Sequence, residues 1–267
     1  MPELPEVEKY KRYVDYYALN QKIRTVTIRN TKILQNISKH KFESILLDQQ
    51  FIETRRIGKY LFLRLSDDNW LVFHFGMTGN IYYFKNLKQE PNHSRLLIRF
   101  TNNNYLSYDC QRLFGFVRLI KNLNKYRFQI QLGSDALFIS KKEFLQKIDK
   151  RTAKVKSVLM NQHFLSGIGN IYADEICFQT RIHPAQPINK ISTKKIDELY
   201  NTISTVLNTA IYYQADFSKY PKEYIIPHRK KNGNCPLNKK HDLKTIKISG
   251  RTTYYCPIHQ KKINKRK

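Results

Sequence analysis

A chain of 267 residues is long enough for two modest domains, each with its own core. Hydrophobic residues make up 41% and aromatic residues 13%, which excludes a disordered chain, while 48 Lys and Arg against 21 Asp and Glu leave a net charge of +27 and a pI near 9.9. Self-repulsion on that scale favours a polyanionic partner, with nucleic acid first among them, and RNA-binding roles stay open on charge alone. No basic-then-apolar leader and no apolar run of transmembrane length is evident, so an intracellular protein with no membrane partner is expected. Four cysteines are too few to suggest a disulfide scaffold in a chain of this size.

The first residues, Met1-Pro2-Glu3-Leu4-Pro5-Glu6-Val7-Glu8, carry chemistry by position. Removal of Met1 leaves Pro2 with a terminal secondary amine, a nucleophile that can form a charged imine as a lysine does in Schiff-base enzymes. Glu3 adds a carboxyl group for proton transfer. Pro5 suits the first turn of a helix, and Val7, Tyr10, Val14 and Tyr17 recur at helical spacing. Strand-like alternation follows over 23–37. A hairpin is predicted over 51–65 with its bend at Ile57-Gly58-Lys59-Tyr60, and further strands at 70–75, 81–84, 95–100, 105–108 and 115–120. Many short strands in succession read as a two-layered antiparallel sandwich, giving a first domain over 1–135.

From Lys141 the period becomes helical, marked by Phe144, Ile148, Val155, Leu159 and Phe164. Ser166-Gly167-Ile168-Gly169-Asn170 breaks this pattern, and a helix restarts at Ile171 with Asp174 and Glu175 expected in its first turn, where the dipole favours acids. Another amphipathic helix is predicted over 196–213 and a polar loop over 216–234. The domain so formed spans 136–231, followed by a β-hairpin element over 232–262 and a basic tail over 263–267. The fold class is thus α+β.

The N-terminal string, Gly58-Lys59-Tyr60, His74-Phe75-Gly76-Met77-Thr78-Gly79, Asp109 to Gly115, and Gly167-Ile168-Gly169-Asn170-Ile171-Tyr172-Ala173-Asp174-Glu175 together resemble the formamidopyrimidine-DNA glycosylase family, in order to about residue 260. Leu4 stands where the endonuclease VIII branch usually has Gly. The resemblance implies a bifunctional DNA glycosylase and apurinic/apyrimidinic lyase acting as a monomer on damaged double-stranded DNA. Pro2 would attack C1′ and form the Schiff base, Glu3 would assist sugar opening, and Lys59 and Arg251 would aid the eliminations at the lesion phosphates. Met77, Arg112 and Phe114 would fill the duplex once a base rotates out. His74 belongs to the same intercalation turn. His93 and Arg151 match phosphate-contacting positions, Lys156 a lesion-facing lysine, and Asn170 a donor to the backbone around the lesion. Cys110 stands where the family usually has Asp, with Asp109 one position earlier.

The family's helix-two-turn-helix would occupy the second domain, and its C-terminal element commonly carries two Cys-x2-Cys pairs around zinc. Here the first pair is broken by Asn238, so Cys235, His241, Cys256 and His259 form the candidate Cys2His2 set for one structural zinc, against a hairpin stabilised without metal. Members specific for oxidised guanine carry a longer loop before this element than 214–234 provides, so oxidised pyrimidines are an alternative substrate. A non-catalytic damage-binding or abasic-site-binding protein is the other alternative.

Overall fold

The computed structural model describes residues 1–262, and the basic tail expected at 263–267 lies outside the described residues. The chain forms two compact units, the first Met1–Gln131 and the second from Leu132 onward.

The first unit opens with α1, Leu4–Tyr17, with Glu3 at its N-cap and Pro5 in its first turn. Strand β1, Ile23–Ile28, is followed by α2, Lys39–Leu46. The alternation predicts strand over 23–37, but β1 stops at Ile28, Thr31–Ile33 form a 3-10 turn, and the next strand begins at Phe51. The Ser38 hydroxyl instead accepts the Lys41 N–H at 3.4 Å, and Phe42 and Leu46 bury one helical face. Six strands follow: β2 (Phe51–Ile57), β3 (Tyr60–Leu65), β4 (Trp70–His74), β5 (Gly79–Phe84), β6 (Ser94–Phe100) and β7 (Tyr105–Cys110). Then come β8 (Phe116–Ile120) and the short helix α3 (Leu123–Gln129).

Two antiparallel four-stranded sheets result, in the orders β1-β6-β7-β5 and β2-β3-β4-β8. Their inner faces share one core containing Leu61, Leu63, Phe73, Leu96, Ile98 and Tyr108, closed by Val7 and Val14 of α1. The alternating residues predicted as strand supply this core, as expected for paired sheets. The outer face of the second sheet packs Phe62, Trp70 and Val72 under Leu123 and Tyr126. At the β2–β3 turn Ile57 pairs with Tyr60, leaving Gly58 and Lys59 as the two central residues, with Gly58 at φ 57°. Positive φ at the first central position is the tight-hairpin requirement that glycine meets without cost.

In the second unit, β9 (Ser134–Asp135) pairs in parallel with β10 (Leu165–Ser166), which ties residues 134–135 to this unit. Between them lie α4 (Lys141–Ile148) and α5 (Val155–Leu159). Helix α6 runs Asn170–Gln179 and α7 Thr193–Tyr212. Because α6 starts at Asn170, Asp174 and Glu175 fall beyond its first turn and are completely buried, a correction to the first-turn dipole role expected of them. Residues 216–234 hold two short 3-10 turns, Phe217–Lys219 and Ile226–His228. The C-terminal element is two hairpins: β11 (Asn234–Cys235) with β12 (Asn238–Asp242), and β13 (Lys244–Ile248) with β14 (Arg251–Tyr255). Phe178 and Ile225 pack against Cys235, Leu243 and Cys256, fastening these hairpins to α6.

Candidate active site and nucleic-acid interface

In the first unit the N-terminal chemistry is held by α1. Glu3 is buried, 1% exposed, and its backbone N–H donates to the Glu6 carboxylate at 2.8 Å. Further along, Arg56, itself buried, binds Glu8 at 2.8 Å and fixes the helix to β2. The Tyr10 ring lies tilted against that of Phe75, with centres 4.6 Å apart, linking α1 to the turn after β4. Lys59 is buried at the hairpin bend rather than displayed on the surface.

His74 ends β4, its ring stacked on Phe116 at 5.2 Å and against Tyr60 at 4.9 Å. Burial first, and the Lys59 cation second, push its pKa down to about 4. It is therefore neutral near pH 7. Its buried Nδ1 has no hydrogen-bond partner among the described residues, so its stacked ring keeps one unused polar atom.

The turn after β4 and the loop after β7 meet backbone to backbone. Gly76 has φ 56°, and a Cβ there would lie 2.3 Å from the Phe114 carbonyl carbon; one on Gly115 would lie 1.9 Å from the Tyr108 hydroxyl. Only glycine permits this approach. The Arg112 N–H donates to the Thr78 hydroxyl at 3.1 Å, and its guanidinium lies 5.0 Å over the Phe114 ring. Met77 and Phe114 stand out at 39% and 58% exposure. Sequence spacing alone did not bring Met77, Arg112 and Phe114 together, whereas the two packed turns do. Asp109 accepts the His93 N–H at 2.9 Å, and the Cys110 N–H donates back to the His93 carbonyl at 3.0 Å. The early aspartate thus braces this loop through His93, which is half-buried.

In the second unit Lys156 requires correction. Expected to face a lesion, it is completely buried in α5, where its ammonium donates to Asn170 Oδ1 and Asp174 Oδ1 at 2.6 Å each and to the Thr253 hydroxyl at 2.7 Å. Three donors meet three acceptors, which is the whole capacity of an ammonium. Arg229 binds the other Asp174 oxygen at 2.9 Å, and the Tyr254 N–H adds a bond to it at 3.1 Å. Burial lowers the Lys156 pKa and raises that of Asp174, and the ion pair opposes both. This network joins α5, the start of α6 and β14. Two acids in the otherwise apolar run Ile171 to Phe178 were the available sequence signal for it.

Asn170 opens α6 and donates through Nδ2 to the Thr252 carbonyl at 3.2 Å. An amide nitrogen has two hydrogens, so a second donor stays available. Gln162, which sequence reasoning missed, donates to the Ile168 carbonyl at 2.7 Å and accepts the Gly167 N–H at 3.0 Å, bracing the glycine turn. Gly167 itself has φ 113°. Arg151 is half-buried, with its guanidinium 4.5 Å over the Phe164 ring and its Nε bonded to the Lys147 carbonyl at 3.0 Å. Arg251 is exposed beside the Ser249-Gly250 turn, where both φ angles are positive, 48° and 73°. The Ser249 hydroxyl is 2.9 Å from that of Ser157 in α5, which fixes the turn.

Cys235, His241 and Cys256 converge, with ligand atoms within 4.8 Å of one another. Two thiols and an imidazole are a donor set that suits zinc. His259 does not join them, and its ring instead lies 4.8 Å from that of Phe178. The following Gln260 explains the turn: buried, it accepts the Cys256 N–H at 3.0 Å and donates to the Ile182 carbonyl at 2.9 Å.

Comparison with known proteins agrees with this arrangement. The family model described as the formamidopyrimidine-DNA glycosylase N-terminal domain matches residues 1–117, and that of the formamidopyrimidine-DNA glycosylase H2TH domain matches 132–221. A formamidopyrimidine-DNA glycosylase of Arabidopsis thaliana is 33% identical over 98% of this chain and 71% of its own length. One from Pelotomaculum thermopropionicum is 30% identical, covering 98% and 99%. Among solved structures, a Lactococcus lactis enzyme in complex with abasic-site DNA superposes with a TM-score of 0.88 at 26% identity, covering 97% of this chain and 100% of that one. The class is thereby defined as a DNA glycosylase of base-excision repair. The chain belongs to the formamidopyrimidine-DNA glycosylase family. Among its described residues no helix is long and apolar enough to cross a membrane.

Proposed function

We propose that this protein, as a monomer, excises oxidised bases from duplex DNA and then nicks the strand, with Pro2 as the nucleophile. The observation that carries this reading is the placement of Pro2 and the buried Glu3 at the start of a helix anchored through Glu8, Tyr10 and Val14. Phosphate attraction to a chain of +27 supplies the first encounter. Met77, Arg112 and Phe114 replace the damaged nucleotide in the stack as it rotates out, since its C1′ is inaccessible within the duplex. The Pro2 nitrogen bonds to C1′ as the base departs with the N–H proton, and Glu3 then protonates O4′ as the C1′–O4′ bond breaks and the sugar opens. The resulting cationic imine acidifies the C2′ hydrogen. Its loss expels the 3′ phosphate, and a second elimination expels the 5′ phosphate. Lys59 and Arg251 offset charge on those leaving groups. His93, Arg151 and Asn170 hold the flanking backbone, with Arg151 swinging from Phe164 to do so.

Zinc is the metal proposed for Cys235, His241 and Cys256. Its contribution when bound is structural, holding the two C-terminal hairpins together, and no catalytic step passes through it. The lesions are oxidised bases, with oxidised pyrimidines as the alternative to 8-oxoguanine and formamidopyrimidine because the span between α7 and β11 holds only two short 3-10 turns; cleavage of a panel of duplexes carrying each lesion decides between them.

Borohydride reduction on abasic duplex tests the chemistry. The protein lacking Met1 becomes covalently attached to DNA, and Pro2→Gly loses strand cleavage far more than binding. Equal loss of both, or activity with Met1 still attached, would overturn the assignment of Pro2. A binder without turnover would give no trapped product at all.

A further inference from the structure

The end of α1 remote from Pro2 carries a feature that the repair chemistry does not use. A groove of about 780 Å³ opens between the last turns of α1 and strand β5, lined by Tyr16, Tyr17, Tyr82, Tyr83, Lys85 and Asn104 among others. Its tyrosines form a built surface. Tyr17 stacks on Tyr83 with ring centres 5.2 Å apart and planes 24° apart, and Tyr16 meets Tyr17 edge-on at 4.6 Å. Tyr13 fixes the base of this stack, its hydroxyl donating to the Tyr83 carbonyl at 3.2 Å and accepting the Tyr83 N–H at 3.0 Å. The Tyr83 hydroxyl is held in turn by the Asn104 amide at 2.8 Å. Yet the Tyr16 ring is 81% exposed, and Tyr17 and Tyr82 are 40% exposed.

We propose that this groove binds an unpaired nucleic-acid strand, stacking its bases on Tyr16, Tyr17 and Tyr82 and pairing its phosphates with Lys85. Fixed aromatic faces beside a cation are the combination that single strands recognise, since every base presents a π-face and every linkage a negative charge. The groove lining contains Lys85 and no carboxylate. Lys88, one short turn away, is also exposed, and neither lysine takes part in an ion pair among the described residues. The nearest acids in sequence are engaged elsewhere, Asp15 with Lys11 at 2.6 Å and Glu90 with Arg29 at 2.6 Å. A proline-rich peptide also suits an aromatic groove, but it brings no anion for Lys85. A duplex keeps its base faces stacked and offers the tyrosines nothing. Helix α1 has 14 residues, so at about 1.5 Å per residue the groove lies on the order of 20 Å from Pro2. Both ends of the helix can therefore be occupied at once.

The test saturates the protein with unlabelled duplex carrying a tetrahydrofuran abasic analogue, then titrates fluorescein-labelled dT12 or rU12 and follows anisotropy. Wild-type protein is expected to bind the single strand on top of the duplex, and the two oligomers show whether DNA or RNA is preferred. Tyr16→Ala and Tyr82→Ala each lower that affinity by about fivefold to a hundredfold, as loss of one stacked base would. Lys85→Glu lowers it further and reduces the salt slope by about 0.7, the value for one phosphate on a single strand. All three side chains are exposed and lie outside the proposed repair machinery, so cleavage of abasic duplex stays at the wild-type rate. No binding of either oligomer to duplex-saturated wild type would overturn the proposal, as would variants that bind like wild type. A proline decamer that binds in a Tyr16-dependent way where the oligomers do not would also overturn it.

Discussion

The ammonium of Lys156 lies 2.6 Å from the carboxylate of Asp174, and neither side chain is exposed to solvent. Through Asn170, Thr253 and the Tyr254 N–H the same pair reaches the first residue of α6 and the strand that begins with Arg251. A charge pair buried this deeply is costly to break from one side only. Lys156→Met is expected to destabilise the protein by about 3–5 kcal/mol, measured by denaturant unfolding. Pairing it with Asp174→Asn should restore part of that loss, giving a non-zero coupling energy in a double-mutant cycle. Strict additivity would mean that the two residues do not act as a unit. DNA affinity should fall with Lys156→Met although the residue touches no solvent, because Asn170 and the Arg251 strand lose a shared support.

Gly76 and Met77 separate packing from wedging. Gly76→Ala places a methyl group 2.3 Å from backbone at Phe114 and forces a positive φ on a residue with a side chain, so a stability loss of about 1–3 kcal/mol is expected. Met77→Ala removes a partly exposed side chain and should leave the melting temperature close to wild type. Its expected effect is a slower excision of a damaged base, with little change on a pre-formed abasic site, where no base must be displaced. Single-turnover rates on the two substrates check this, and equal losses on both would remove Met77 from the wedge.

Burial raises the Glu175 pKa from 4.5 to about 7, against the opposing hydrogen bonds from Gln179, Ile226 and Ile225. In this window the native state holds a proton that the unfolded chain has released, so stability falls as pH rises from about 4.5 to 7. At about 1.4 kcal/mol per unit, the contribution is at most about 3 kcal/mol. Glu175→Gln cannot titrate and should show a flatter stability profile between pH 5 and 7. Parallel profiles for variant and wild type, from urea unfolding at stepped pH, would contradict the assignment.

Purified protein is expected to contain close to one zinc per chain by elemental analysis. Cys235→Ser should lose it, whereas Cys177→Ser, buried in α6 and outside the cluster, should retain it. His259→Ala is informative in the same assay: retention follows from the position of its ring against Phe178, and loss would mean that the side chain turns to complete the site.

The sequence by itself determined what local pattern can encode. Period-two alternation marked the strands because each sheet buries one face, and the glycines at 58 and 167 marked turns because their backbones take positive φ. Order along the chain and the short strings around Pro2, Gly58 and Gly167 were enough to suggest the family. Helix α2 was obscured because its cap, Ser38, follows directly on an alternating stretch. Tertiary structure alone decided which polar groups face inward. A lysine such as Lys156 reads identically whether it meets solvent or a carboxylate 18 positions away, since the partner that makes its burial tolerable is supplied only by folding. The same holds for His259, whose ring lies against Phe178 outside the cysteine cluster, and for the tyrosine groove, whose two walls lie some 70 residues apart in the chain.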